Sequence, residues 1–447
     1  MSRLVVIGGV AAGMSAASKA ARIDPQLQVD VYTDEAYIAY SACSLPYYAQ
    51  GVISDEESLL ARSVEEFKAQ GVDVHIRCQA LEIRPDSKTV QIRHEDGRET
   101  WEAYDKLVIA TGASPMVPSL EGVRLPGVFT VKHINDIHAI QSWLEQKDIK
   151  KAVIFGGGSI AVEMAEAMGK LGLKVTMLQR SAQILSFIDD DMAAIVQAEL
   201  EKHGVEIKLS TKVLSIEGAD RVTGVKTESE TVPADLVIMA LGVTPNSKIA
   251  AAAGIELGVR DAIQVNAHME TSLPDIYAAG DCATAYHMVT EKDAYIPLGT
   301  TANKQGRLAG ENAAGVPSEF WGIAGTVIFK AMALECARTG LSSKEAAANG
   351  FETWTTKITS STKASGYPGR GPITVKLIIE KGTNRILGGQ VVGTTGAGKR
   401  IDVLAAVVQM KLTPVEMSHL DLAYAPPFSP VWDPLLVAAN QAVSKLR

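Results

Sequence analysis

The stretch YIAYSACSLPYY, residues 37–48, holds one cysteine, Cys43, among four tyrosines, a proline and small residues. A thiol used for two-electron redox chemistry ordinarily has a resolving thiol a few residues away, so that oxidation ends in an internal disulfide. The other three cysteines, Cys78, Cys282 and Cys336, lie in separate segments, and none forms a C-x-x-C or C-x-x-x-x-C pair with Cys43. Two readings are open: a small buried residue, or a lone redox thiol whose second sulfur comes from outside the chain. The elements that would position the thiol bear on the choice.

From Leu4 to Ile23 an aliphatic strand runs through a Gly-rich turn into an alanine-rich helix, and LQVDVY (27–32) follows as a second strand. In such a βαβ unit the glycines allow a tight turn, and the helix N-terminus presents free N–H groups to a pyrophosphate. Gly8, Gly9 and Gly13 are present, with Val10 at the usual middle glycine. The same succession recurs at 151–180, with Gly156, Gly158 and Ala161 in the G-x-G-x-x-G/A positions. One imperfect fingerprint is a weak signal; two in one chain point to two dinucleotides. YDKLVIATGASP (104–115), which carries Thr111 and Gly112, and ADLVIMALGVTPN (234–246) are both apolar strands ending in a glycine turn and a proline. TSLPDIYAAGDCA (271–283) reads as a strand delivering Asp281 to a helix start, either as a sugar or phosphate-chain ligand or as a helix N-cap.

With 447 residues and 47% apolar content the chain is expected to fold as several domains. A net charge of −8 without a long Lys/Arg block argues against a nucleic-acid partner. MSRLVVIGGV reads as a strand core stopped by glycines rather than an export signal. Stretches such as IDVLAAVVQM (401–410) fall well short of the roughly 18 apolar residues of a membrane span. Four cysteines at no framework spacing fit a reducing cytoplasm. A cytoplasmic protein without membrane, nucleic-acid or metal partners is the expectation.

The order of GGVAAGMSAA, the C-x-L-P-Y-Y around Cys43, ATGASP, GGGSIAVEMAE, AAGDCA, PLGTTANKQGRLAG (297–310) and DLAYAPPFSP (421–430) resembles that of the FAD-dependent pyridine nucleotide-disulfide oxidoreductases. Within them it is similar to the single-cysteine branch: coenzyme A-disulfide reductases, NAD(P)H persulfide or polysulfide reductases, and NADH oxidases and peroxidases. The resemblance implies an α/β fold of two nested Rossmann-like dinucleotide-binding domains plus a C-terminal α+β dimerisation domain. The FAD-binding domain would comprise 1–113 and 242–321, the NAD(P)H-binding domain 114–241 and the dimerisation domain 322–447.

By the same resemblance Gly8, Gly9 and Gly13 hold the FAD pyrophosphate, Thr111 and Gly112 line the cofactor, Asp281 holds the ribityl chain, and Ala302 approaches the flavin pyrimidine end. The position usually held by the ribose-binding acid is Thr33, with Asp34 beside it. Gly156 and Gly158 cradle NAD(P)H. Glu163 meets the nicotinamide carboxamide, although a glutamate there is also a plain partner for the helix dipole. Gln179 and Arg180, where an NADH site commonly has an acid, suit a 2′-phosphate, so NADPH is expected with NADH as the alternative. Ser159 replaces a tyrosine that commonly gates the flavin, which implies a more open nicotinamide pocket.

Cys43 would then cycle between thiolate and a mixed disulfide or sulfenic acid, a positive dipole or the flavin lowering its pKa to about 3.5 to 7.5. Ala11 stands where peroxidase and oxidase members carry a histidine, which favours the reductases. Lys19 and Arg22 share a helix face and either meet the anionic arm of CoA or are simply solvated. Tyr424 would reach the cysteine of the other subunit of a homodimer and protonate a departing thiolate, or is a packing anchor. Tyr367 would also come to the site, with Gly366 where a second tyrosine commonly sits. Ala39, Ala42 and Ser44 depart from the reductase pattern around the sulfur. Trp354 and Trp432 read as core or interface residues, and His419 as a surface histidine. The implied activity is reduction of a low-molecular-weight disulfide or persulfide by NAD(P)H, CoA disulfide or CoA persulfide first. The alternatives are an NAD(P)H oxidase reducing dioxygen and an electron donor to a protein carrier.

Overall fold

The computed structural model of the protein describes residues 2–146 and 148–446. Arg3–Ile7 is buried along nearly its whole length and sits at the centre of a five-stranded parallel sheet in the order Ile276–Ala278, Lys106–Ile109, Arg3–Ile7, Gln28–Tyr32, Val72–His75. A continuous aliphatic run is what an interior parallel strand requires, because both faces are covered. The Ala11–Ile23 helix covers one face, and its small residues let the Gly299–Ala313 helix pack closely against it: a Cβ on Gly306 or Gly310 would stand 2.1 or 2.2 Å from the carbonyl oxygen of Ala12 or Ala16.

A second parallel sheet has the same plan, with Lys151–Phe155 at its centre, Lys174–Leu178 and Glu206–Lys208 on one side, and Leu236–Met239 and Val128–Thr130 on the other. Each sheet is accompanied by a three-stranded antiparallel sheet, 79–103 in the first unit and 213–233 in the second, inserted before the corresponding strand. The two units are joined by the pairing of Ala113–Pro115 with Val243–Pro245, the two glycine-turn and proline segments seen in the sequence.

Beyond them, five antiparallel strands in the order 327–331, 334–340, 386–393, 372–380, 353–361 carry the Ala397–Gln409 and Pro434–Leu446 helices. The core of the second unit is continuous with two outside pieces: Leu45 and Ala49, from the Cys43 segment, and Phe329, Met332 and Leu334 of the C-terminal sheet. No helix among the described residues is long and apolar enough to cross a membrane.

Candidate active site

Cys43 lies on a single 3-10 turn, Ala42–Ser44, that runs directly into the short Leu45–Ala49 helix. The Ser41 and Ser44 hydroxyls, 2.7 Å apart, close the turn, and Pro46 opens the helix, where its missing N–H is not needed. Upstream, Ala39 takes a left-handed backbone (φ 48°), held by its N–H bond to Gly9 O at 2.8 Å and by Ala61 N on its own carbonyl at 3.0 Å. Leu45 and Ala49 anchor the helix in the second unit's core, so the cysteine sits where the two units meet. Cys43 is exposed, whereas Cys78, Cys282 and Cys336 are buried.

Four other segments converge on this sulfur. Gly299 opens the Gly299–Ala313 helix, and a Cβ there would lie 3.9 Å from Cys43 Sγ. Glu163, on the Ser159–Lys170 helix, accepts a hydrogen bond from Tyr47 Oη at 3.1 Å. Lys132 Nζ lies 3.0 Å from Asp281 Oδ2, and Tyr295 Oη donates to Asp281 O at 2.9 Å. Burial pushes the Cys43 thiol up, the carboxylates Glu163 and Asp281 add to the rise, and Lys132 opposes them. The chain's own surroundings, burial first, thus raise the thiol, and the lowering expected from a bound flavin would act against them. Burial also pushes Glu163 up to about 7, with Glu166 adding to the rise and the bond from Tyr47 pulling the other way.

The two Gly-rich turns have matching geometry. Gly8 (φ 113°) and Gly156 (φ 131°) would drive a Cβ to 2.1 Å from Ala110 O and 2.2 Å from Ala240 O, and a Cβ on Gly13 would stand 1.8 Å from Gly8 O. A Cβ on Gly9 would meet the Thr33 side chain at 2.8 Å, while one on Gly158 would meet no protein atom within 4 Å. The helices starting at Ala11 and Ser159 carry neither a side-chain N-cap bond nor an acid in the first turn. Their free N–H groups and an uncrowded glycine are what an anionic pyrophosphate needs, so both turns fit dinucleotides. Gly280 stands between Ala12 and Ala302, so close that a Cβ on it would lie 2.7 and 3.4 Å from their Cβ atoms; this brings Asp281, Ala302 and the first turn together. The helix expected to start at Asp281 is absent: the chain makes a turn there, closed by Ala283 N on Gly280 O at 2.9 Å, and Ala283 then bridges Ile263.

The remaining sequence-selected residues fall in several places. Thr33 is buried and Asp34 exposed at the end of Gln28–Tyr32. Thr111 Oγ1 donates to Asn246 O at 2.6 Å, and Asn246 Nδ2 returns a bond to Thr111 O at 2.9 Å, next to Gly112. Gln179 is turned inward onto Ser181 Oγ at 2.6 Å, whereas Arg180 is exposed and makes no ion pair among the described residues. Lys19 pairs with Glu311 at 3.0 Å and Arg22 is exposed. Trp354 packs against the C-terminal core, while Trp432 is 60% exposed.

Tyr367 and Tyr424 are exposed on neighbouring segments of the C-terminal domain, tied by Ala364 N to Pro426 O at 3.2 Å. Arg400, paired with Asp433 at 2.9 Å, holds the chain just beyond Tyr424, with Ser429 Oγ also donating to Asp433 at 3.0 Å. Sequence reasoning missed Tyr47, Lys132 and Tyr295. Tyr47 lay inside the quoted cysteine motif; Lys132 and Tyr295 stand in segments with no distinguishing pattern.

Comparison with known proteins agrees with this arrangement. Residues 2–306 match the family described as pyridine nucleotide-disulphide oxidoreductase, and 326–435 match the dimerisation domain of that family. The chain is 42% identical over 440 residues, 98% of it and 97% of the relative, to an NAD(P)H sulfur oxidoreductase (CoA-dependent) of Pyrococcus abyssi. It superposes on an NAD-dependent persulfide reductase from A. fulgidus with a TM-score of 0.97 at 38% identity, covering 99% of this chain and 83% of the other. It also superposes on an engineered water-forming NADPH oxidase, derived from a Lactobacillus brevis enzyme and bound to NADPH, with a TM-score of 0.95 at 28% identity, covering 99% of each. Two matching nucleotide turns, a lone exposed thiol between them and a C-terminal sheet domain thus have one common explanation: the chain belongs to the pyridine nucleotide-disulphide oxidoreductases.

Proposed function

We propose that the protein is a homodimeric FAD-dependent NAD(P)H oxidoreductase that reduces a low-molecular-weight disulfide or persulfide, a CoA derivative first, through Cys43. The observation that carries this reading is that Cys43 is exposed at the junction of two nucleotide-binding units while every other cysteine is buried. The second sulfur must then come from the substrate. The CoA-dependent sulfur oxidoreductase and the persulfide reductase among the similar proteins support a sulfur acceptor.

In this reading residues 1–113 and 242–321 bind FAD, 114–241 bind NAD(P)H and 322–447 form the dimer. Gly8, Gly9, Gly13, Thr33, Asp34, Thr111, Gly112, Asp281 and Ala302 would hold FAD, and Gly156, Gly158, Glu163, Gln179 and Arg180 the pyridine nucleotide. FAD, when bound, supplies the two-electron store between nicotinamide and sulfur. Cys43 thiolate attacks the substrate disulfide, forming a mixed disulfide and releasing one thiolate. The electron pair taken from NAD(P)H then cleaves the mixed disulfide, returning Cys43 thiolate and a second substrate thiolate. Tyr424 and Tyr367, exposed and on adjoining segments, would approach the sulfur of the other subunit, Tyr424 giving the leaving thiolate its proton. The apolar exposure of Phe428 (76%) and Trp432 (60%) beside them supports a covered dimer face. Lys19 keeps an ion pair, so Arg22 is the freer cation for an anionic CoA arm.

NADPH is the favoured donor. In the engineered NADPH oxidase an Asp-Ala-Met run was changed to Ala-Arg-Ser, and this chain carries Gln179-Arg180-Ser181 at its strand end, with no acid.

Anaerobic titration of the purified holoenzyme with NADPH and then NADH, alongside Cys43→Ser, tests the reading. A long-wavelength thiolate-to-flavin charge-transfer band that appears on two-electron reduction and is lost in Cys43→Ser supports it. Direct bleaching with no Cys43-dependent band overturns it in favour of dioxygen or a protein electron carrier.

A further inference from the structure

Glu163 stands one turn into the Ser159–Lys170 helix that follows the second Gly-rich turn, and its side chain is half-buried. The protein gives it one donor. Tyr47 Oη bonds to Oε1 at 3.1 Å, and among the described residues no cation pairs with the carboxyl and no group donates to Oε2. Oε2 is not sealed from solvent either. Tyr47 comes from the other side of the junction, on the short Leu45–Ala49 helix. Leu45 and Ala49 share one core with Ala161, Val162 and Ala165, so the packing of the two helices sets where the phenol stands.

A carboxylate with one oxygen engaged by the protein and the other open can accept an N–H of a ligand, and a carboxamide NH2 supplies two such donors. We propose that Tyr47 is a positioning residue for the pyridine nucleotide: by donating to Oε1 it fixes the Glu163 carboxylate so that Oε2 is presented to the nicotinamide carboxamide. This rests on the reading above that Glu163 meets the nicotinamide, and it adds the residue that holds the carboxylate in place. Ordering a free glutamate side chain costs rotamer entropy at the moment of binding. A phenol held by a packed helix takes up that cost beforehand, which favours affinity. Its donation also favours the ionised carboxylate, the stronger acceptor.

The test is calorimetric titration of the purified, oxidised holoenzyme with NADP⁺ or NAD⁺, whichever it binds more tightly, and with the 3-acetylpyridine analogue of that nucleotide. The analogue carries a methyl group in place of the carboxamide NH2 and so lacks both N–H donors. No turnover is needed, so the result stands apart from the identity of the electron acceptor. Glu163→Ala is expected to weaken the natural nucleotide and to leave the analogue nearly unchanged. Tyr47→Phe, which keeps the ring and its packing, is expected to weaken the natural nucleotide by about threefold to tenfold, the worth of one hydrogen bond, and to spare the analogue. In the Glu163→Ala background it is expected to add nothing, since the phenol acts through the carboxylate. A Tyr47→Phe variant that weakens both nucleotides alike has merely shifted the helix, and that result overturns the proposal, as does an unchanged affinity for both. The two readings fail separately. If Glu163→Ala distinguishes the nucleotides and Tyr47→Phe does not, the positioning role alone is lost; if Glu163→Ala treats them alike, the assignment of Glu163 to the nicotinamide falls and the proposal with it.

Discussion

Glu166 is bonded through both carboxylate oxygens to the C-terminal domain, Oε1 lying 2.6 Å from Lys330 Nζ and Oε2 accepting from Met332 N at 2.7 Å. It is on the same helix as Glu163, three residues further on. The helix that faces Cys43 with one residue is therefore fixed to the C-terminal sheet by another. The carboxylate is 6% exposed, so Glu166→Ala leaves the Met332 N–H without its partner and is expected to cost about 1–3 kcal/mol. Lys330 is half-exposed, and Lys330→Ala is expected to cost under about 1 kcal/mol. Urea unfolding followed by tryptophan fluorescence compares the two; equal losses would contradict the buried-acceptor argument.

The two nucleotide turns are expected to separate folding from binding. Gly13→Ala places a methyl 1.8 Å from Gly8 O, and the protein should purify with little FAD and a lowered melting temperature. Gly158→Ala meets no protein atom, so the fold and the flavin content should be kept while the KM for NADPH rises. Flavin absorbance, thermal melting and steady-state kinetics on the pair decide it.

Lys132 is the cation that favours the Cys43 thiolate, against Glu163 and Asp281. Its removal in Lys132→Met is expected to move the thiol pKa further up and to slow alkylation of Cys43 near neutral pH. An alkylation rate equal to that of the unsubstituted protein would show that Lys132 is occupied by Asp281 alone.

Arg180 is expected to select the 2′-phosphate. A charge-assisted hydrogen bond is worth about 1.5–3 kcal/mol, so Arg180→Ala should lower kcat/KM for NADPH by roughly tenfold to a hundredfold and leave that for NADH nearly unchanged. Equal losses with both nucleotides would place the residue outside the phosphate contact.

Burial alone would push the Asp189 carboxyl up, but the ammonium of Lys376 at 2.7 Å and two bonds from Ser343 outweigh it and hold the pKa below the ordinary value. A folded-state pKa depressed in this way gives stability that is present above the unfolded value of about 3.9 and lost as pH falls through the folded one. The urea midpoint of the enzyme should therefore fall as pH drops below about 4, and Asp189→Asn should lower it at pH 7 while flattening that acid dependence. A parallel acid dependence in the variant would remove Asp189 from the account.

Much of the architecture was legible in the chain itself. LVVI followed by GGV and an alanine-rich run, repeated as AVIF with GGGS, determines two strand–turn–helix units, because aliphatic continuity, positive-φ glycines and uncapped helix starts are local properties. Cys43 without a resolving partner is equally a property of spacing. What surrounds the sulfur was decided by tertiary packing. Leu45 and Ala49 insert into a core built mainly from residues beyond 130, and only that insertion brings Tyr47 to Glu163 and exposes Cys43 to two carboxylates and one ammonium. The rise that the chain's own groups impose on the thiol has the same origin. A helix or flavin dipole can be anticipated from a motif, but the field of the charged side chains at the sulfur depends on three separate segments. Coulombic interaction falls with distance through space and is indifferent to separation along the chain.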